Sequence, residues 1–113
     1  MAREYTPKHI RPEVWKRITS VIRDYNRLKA ELVALNGEAA DYTGKRKQEL
    51  MRKITAFETA FNSTDSETRE LVIQKFWKRR LYRDISVHMS ERNMQRYIKR
   101  FVIEVGRNLG EID

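Results

Sequence analysis

Val14, Ile18, Val21, Tyr25, Leu28, Leu32 and Leu35 recur at intervals of 4, 3, 4, 3, 4 and 3. Steps of this kind keep side chains on one face of an α-helix and do not fit the period of two of a strand. The first long element is therefore an amphipathic helix. Pro12 suits its first turn, where a missing N–H removes no hydrogen bond, and Pro7 and Pro12 bracket a short extended lead-in. Asn36-Gly37 supplies residues that commonly end a helix, and residues 38–44 read as a loop. A second helix is predicted over residues 45–61, with Leu50, Ile54, Phe57 and Phe61 on one face. Two such faces pack together as an antiparallel hairpin.

Asn62-Ser63-Thr64-Asp65 interrupts that pattern, and Thr64 with Glu67 has the spacing of a capping box. A third helix starting near residue 65 carries Leu71, Val72, Ile73, Phe76 and Trp77 and fades in Lys78-Arg79-Arg80. Residues 81–89 read as a short helix with Ile85 and Met89 on its buried face. Ser90 then caps a longer helix whose inner stripe is Met94, Ile98, Phe101 or Val102, Val105 and Leu109. The expected fold class is all-α: a helical hairpin over residues 1–61 and a three-helix, helix-turn-helix unit over 62–113, as one compact body or two loosely coupled units.

Charge narrows the partner. Among 113 residues, 24 Lys and Arg outnumber 16 Asp and Glu, for a net charge of +8. Residues 75–107 alone hold ten Lys/Arg against three Asp/Glu, interleaved with Phe76, Trp77, Ile85, Ile98 and Phe101. This is a folded basic element and not a disordered arm. Its partner is a polyanion, nucleic acid or an acidic membrane, and the membrane is disfavoured because the apolar stripe is needed for the core. No apolar run approaches the roughly 18 residues of a membrane span, and Met1 to Tyr5 lack the apolar stretch of a signal peptide. With no Cys there is no disulfide, thiolate nucleophile or zinc-cysteine site. A soluble, cytoplasmic protein is expected. His9 and His88 lack neighbouring ligands and read as structural, with no metal. Glu67, Glu70 and Asp84 fit helix-start electrostatics better than a nuclease centre, and no glycine loop cradles phosphate. No enzymatic activity and no cofactor are expected.

On the last helix, Arg92, Asn93, Gln95 and Arg96 are candidate base contacts, because Arg pairs with guanine and Asn or Gln with adenine through two hydrogen bonds each. Lys78, Arg79, Arg80, Tyr82, Arg83, Ser90, Lys99 and Arg100 are candidate phosphate contacts. The bland alternative is a solvated basic surface. Tyr82 or Tyr97 stacking on single-stranded bases is a further alternative, against a plain core role. The seam from Val14 to Leu35 either is covered by Leu50, Ile54, Phe57 and Phe61 of the same chain or mediates a homo-oligomer. A dimer is the favoured state, since dimers read two half-sites about one helical turn apart.

Asn62-Ser63-Thr64, the run from Glu70 to Trp77, the run from Met89 to Arg96, and Leu109-Gly110-Glu111 carry a resemblance. From Phe61 to Ile112 the chain resembles the C-terminal half of the RinA family of phage transcriptional regulators, related to ArpU-type regulators. More distantly it is similar to the helix-turn-helix of sigma-factor region four. The sigma motif usually has a Gly in its turn, whereas Ile85 to Ser90 is shorter and has none. The resemblance implies a phage-encoded activator of late or morphogenetic genes that binds double-stranded DNA and acts with host RNA polymerase. Two rivals stand beside it: a small-terminase-like DNA-packaging protein, and a polymerase-binding protein that does not touch DNA.

Overall fold

A computed structural model describes residues 7–36, 43–85 and 87–113, and every regular element among them is helical. Helix α1 spans Pro12–Asn36, α2 Thr43–Ser63, α3 Ser66–Val72 and α4 Glu91–Leu109. Helix α3 continues as a π-helical turn, Ile73–Trp77, and a 3-10 turn, Tyr82–Asp84, lies before α4. The protein measures 49 × 29 × 29 Å.

Pro12 is the first residue of α1, as its fixed φ favours. The lead-in is a turn and not extended, since the Ile10 N–H bonds the Pro7 carbonyl at 3.1 Å. Gly37 and residues 38–42 lie outside the described residues, while Gly44 falls inside α2 and not in the predicted loop. Tyr25 stacks on Phe57 and bonds Glu58, whereas Glu31 meets Arg46. Helices α1 and α2 therefore run in opposite directions.

Helix α1 buries more than its heptad seam. Trp15, Thr19 and Ile22 are buried beside Val14, Ile18, Val21 and Leu28. Two adjoining stripes are covered because α4 packs on α1 as well as α2 does. Gly106 makes that approach possible: a Cβ there would stand 2.6 Å from Ile18 Cδ1 and 2.7 Å from Ile112 Cδ1. An aromatic cluster of Tyr25, Phe57, Phe61, Trp77 and Phe101 joins the first half of the chain to the second, with ring centroids 4.3 to 6.3 Å apart.

Two local expectations are corrected. Helix α3 is capped by Asp65 and not by Thr64: the Asp65 carboxylate accepts from the Thr68 N–H at 2.7 Å. A full negative charge beside free N–H groups outcompetes a neutral hydroxyl one residue away. The short helix expected over 81–89 is not formed among the described residues, which exclude 86. Only Tyr82–Asp84 winds, Ile85 is extended, and Met89 bonds back to the Val87 carbonyl at 2.9 Å. Ile85, Val87 and Met89 follow a period of two, and burying Ile85 with Val87 and Met89 half-buried uses that period instead of the four-residue spacing.

Candidate nucleic-acid interface

Helix α4 is framed at both ends. The Ser90 hydroxyl accepts from the Asn93 N–H at 3.2 Å, and Gly110 closes the helix in the left-handed conformation at φ 77°. Between them Met94, Ile98, Phe101, Val102, Val105 and Leu109 are buried, so the opposite side faces outward.

An α-helix turns about 100° per residue, so Arg92, Asn93, Arg96 and Arg100 share an arc of about 100° on that outer side. All four are exposed. Gln95 is not among them. It stands about 160° from Asn93, on the side of Val102, and is half-buried. Of the four base-contact candidates, Arg92, Asn93 and Arg96 therefore lie on one face and Gln95 lies apart from them. Arg100 lies over the Tyr97 ring, 5.8 Å from its centroid, and Lys99 is half-buried.

The expected phosphate contacts lie mostly in the connection before α4. Lys78, Arg79, Arg80 and Arg83 are exposed. Arg79 adopts φ 53°, the left-handed conformation usually left to glycine. Its neighbour Arg80 bonds the Gln74 carbonyl through its N–H at 2.9 Å and the Gln74 amide oxygen through its guanidinium at 3.1 Å. Tyr82 is half-buried beneath the Lys75 ammonium, 4.3 Å from the ring centroid, and burial, aided by Glu91, pushes its hydroxyl up to about 12. It stays a neutral donor at working pH.

Many cations outside this region are paired, though Lys16, Lys45 and Lys47 meet no carboxylate among the described residues. Arg17 meets Glu111 at 2.9 Å, Arg27 meets Asp24 at 3.0 Å, Arg46 meets Glu31 at 2.5 Å and Arg52 meets Glu49 at 2.8 Å. Lys29 and Lys53 each reach a carboxylate at 3.7 Å. By contrast Lys78, Arg79, Arg83, Arg92 and Arg96 meet no carboxylate among the described residues.

Two cations that the sequence reading does not single out join this surface. The Trp77 indole N–H donates to the Ile22 carbonyl at 2.8 Å, which fixes α1 against the π-turn. Arg23, next along α1, lies over the Phe76 ring at 5.9 Å. Burial lowers the Arg23 pKa and the nearby Arg79 charge lowers it further; burial and then Arg23 lower that of Lys75. No sequence signal marks Arg23, because its position depends on a hydrogen bond across 55 residues.

The seam proposed for self-association is covered within one chain. Val14, Ile18, Val21 and Leu28 are buried, and Tyr25, Leu32 and Leu35 pack against the core. Among the described residues no group of three or more His, Cys, Asp or Glu could hold a metal, and no helix is long and apolar enough to cross a membrane.

No family model matches the chain, and comparisons with curated proteins and with solved structures return no match either.

Proposed function

We infer that the chain is a sequence-specific, double-stranded DNA-binding protein that reads DNA through α4 and regulates transcription. The resemblance to the RinA family makes it a phage activator of late or morphogenetic genes, working with RNA polymerase in the host cytoplasm. In this reading α1 and α2 are the scaffold, α3 and its π-turn support α4, and α4 lies in the major groove, whose width of about 12 Å admits one helix. The observation that carries it is the division of charge. Arg17, Arg27, Lys29, Arg46, Arg52 and Lys53 of α1 and α2 pair with acids, though Lys16, Lys45 and Lys47 do not, while Lys78, Arg79, Arg83, Arg92 and Arg96 all meet no carboxylate among the described residues. A row of cations kept apart from carboxylates suits a phosphate backbone, and Arg92, Asn93 and Arg96 add donors that distinguish bases.

The test is selection of bound sequences from random duplexes, followed by binding measurements across salt concentrations. Enrichment of one sequence supports regulation. Binding with no enriched sequence overturns it in favour of packaging or coating, and no binding removes DNA altogether, leaving the polymerase-binding rival. Steep salt dependence alone does not decide, because any basic surface produces it.

A further inference from the structure

Glu104 follows Arg100 by four residues and precedes Arg107 by three, so either cation is within its reach along α4. It pairs with Arg107 at 3.7 Å. Arg100 meets no carboxylate among the described residues and lies instead over the Tyr97 ring, one turn back, 5.8 Å from its centroid. The two border a cleft between α4 and the α2–α3 junction, where the Asp65 carboxylate already accepts from the Thr68 N–H at 2.7 Å. Tyr97 is half-buried and Arg100 exposed, so the ring is held by the fold while the cation faces outward. Stacking engages the face of a guanidinium and leaves its edge N–H groups for an oxyanion. A side chain placed in this way has less rotamer freedom to lose on binding.

Arg92, Arg96 and Arg100 follow one another at four-residue steps, which sets Arg100 about 12 Å along the axis from Arg92. A recognition helix meets base edges near its start, and its far end meets the backbone. The next outward cation, Arg107, is the one that Glu104 pairs, so the unpaired row ends at Arg100.

We propose that Tyr97 is a positioning residue, whose ring holds the Arg100 guanidinium for one phosphodiester at the point where α4 leaves the groove. This rests on the duplex-binding reading above and gives Tyr97 a role on duplex DNA in place of stacking on single-stranded bases.

The test uses the duplex enriched by selection and measures its affinity across salt for the wild type, Arg96→Ala, Arg100→Gln, Tyr97→Phe, Tyr97→Leu and the double variant Tyr97→Leu/Arg100→Gln. Each lost phosphate contact lowers the slope of log affinity against log salt by about one. Arg100→Gln is expected to lose that amount and to select the same sequence, since a phosphate contact carries no base preference. Tyr97→Leu is expected to lose slope as well, and Tyr97→Phe, which keeps the ring, to match the wild type. The double variant should lose no more than Arg100→Gln alone, because the two residues act through one contact. In wild-type NMR spectra the contacts between the Tyr97 ring and the Arg100 side chain are expected to persist in the duplex complex; this readout needs no variant to fold. A wild-type slope in Arg100→Gln or in folded Tyr97→Leu, a reduced slope in Tyr97→Phe, or loss of the ring contacts on binding overturns the proposal. A changed sequence preference in Arg100→Gln also overturns it, because Arg100 then touches a base. If the wild type binds no duplex the functional reading fails; if it binds and only Arg96→Ala changes it, the positioning role alone fails.

Discussion

Arg79 shows how a single residue can be held against its own preference. Its left-handed backbone, φ 53°, costs an L-residue roughly 1 kcal/mol that glycine avoids. Arg79→Gly should raise stability by up to about 1 kcal/mol, or about 4 °C in melting temperature for a chain of this size, while weakening duplex binding. Thermal unfolding and binding measured on the same variant check the opposed signs. Asp65 is the reverse case, a residue in the position it favours. Its carboxyl is held below the ordinary value of 3.8, chiefly by its hydrogen bonds with Thr68. A depressed carboxyl contributes stability that is present above its unfolded pKa and lost as pH falls through the folded one. Asp65→Ala should cost about 1 kcal/mol at pH 7, and the difference from wild type should shrink below pH 3.8. Denaturant titrations at several pH values measure it. Of these features, the Ser90 cap was legible in the sequence, because a hydroxyl before an apolar period is a local signal. The strain at Arg79 was not, since nothing in Lys78-Arg79-Arg80 announces a left-handed residue.

The elements were legible where one period ran long and unopposed. Helices α1, α2 and α4 lie within about two residues of their predicted bounds. Residues 81–89 satisfy two periods, four for Ile85 with Met89 and two for Ile85, Val87 and Met89, and tertiary burial decided between them. The π-turn at Ile73–Trp77 was equally hidden: it places the Trp77 indole on the Ile22 carbonyl, a partner no local rule supplies. For the interface, the outer face of α4 followed from its inner stripe, but the rotation that separates Gln95 from Arg96 did not until the buried residues were known. Arg96→Ala should relax base preference at one position, at a loss of about 1–3 kcal/mol for the preferred duplex. Gln95→Ala should leave the selected sequence unchanged. Repeating the duplex selection with both variants tests this, and loss of preference in the Gln95 variant would show that α4 is rotated differently.

At the scale of the whole molecule, the packing of α1 decides what the chain can do alone. The seam from Val14 to Leu35 reads as a dimer interface, the favoured expectation, or as one side of a hairpin, since a 3.5-residue period suits both. In the structure α1 also buries a second stripe, Trp15, Thr19 and Ile22, and packs against both α2 and α4. Among the described residues the exposed large apolar side chains are Val33 at 71% on α1, Met51 at 48% on α2 and Leu81 at 46% in the connection before α4. A stable interface buries about 800 Å² on each partner around an apolar centre. Scattered single residues do not supply that, and a net charge of +8 opposes close approach of two copies. Light scattering at micromolar concentration should therefore give the mass of one chain, 13.6 kDa. A monomer with one α4, about 28 Å long, covers roughly one turn of duplex, where a dimer would protect two half-sites. Footprinting should accordingly show a single protected stretch without two-fold symmetry. A dimeric mass with a palindromic footprint would mean that another surface pairs the chains, and a ring of about eight or more subunits would return the reading to DNA packaging.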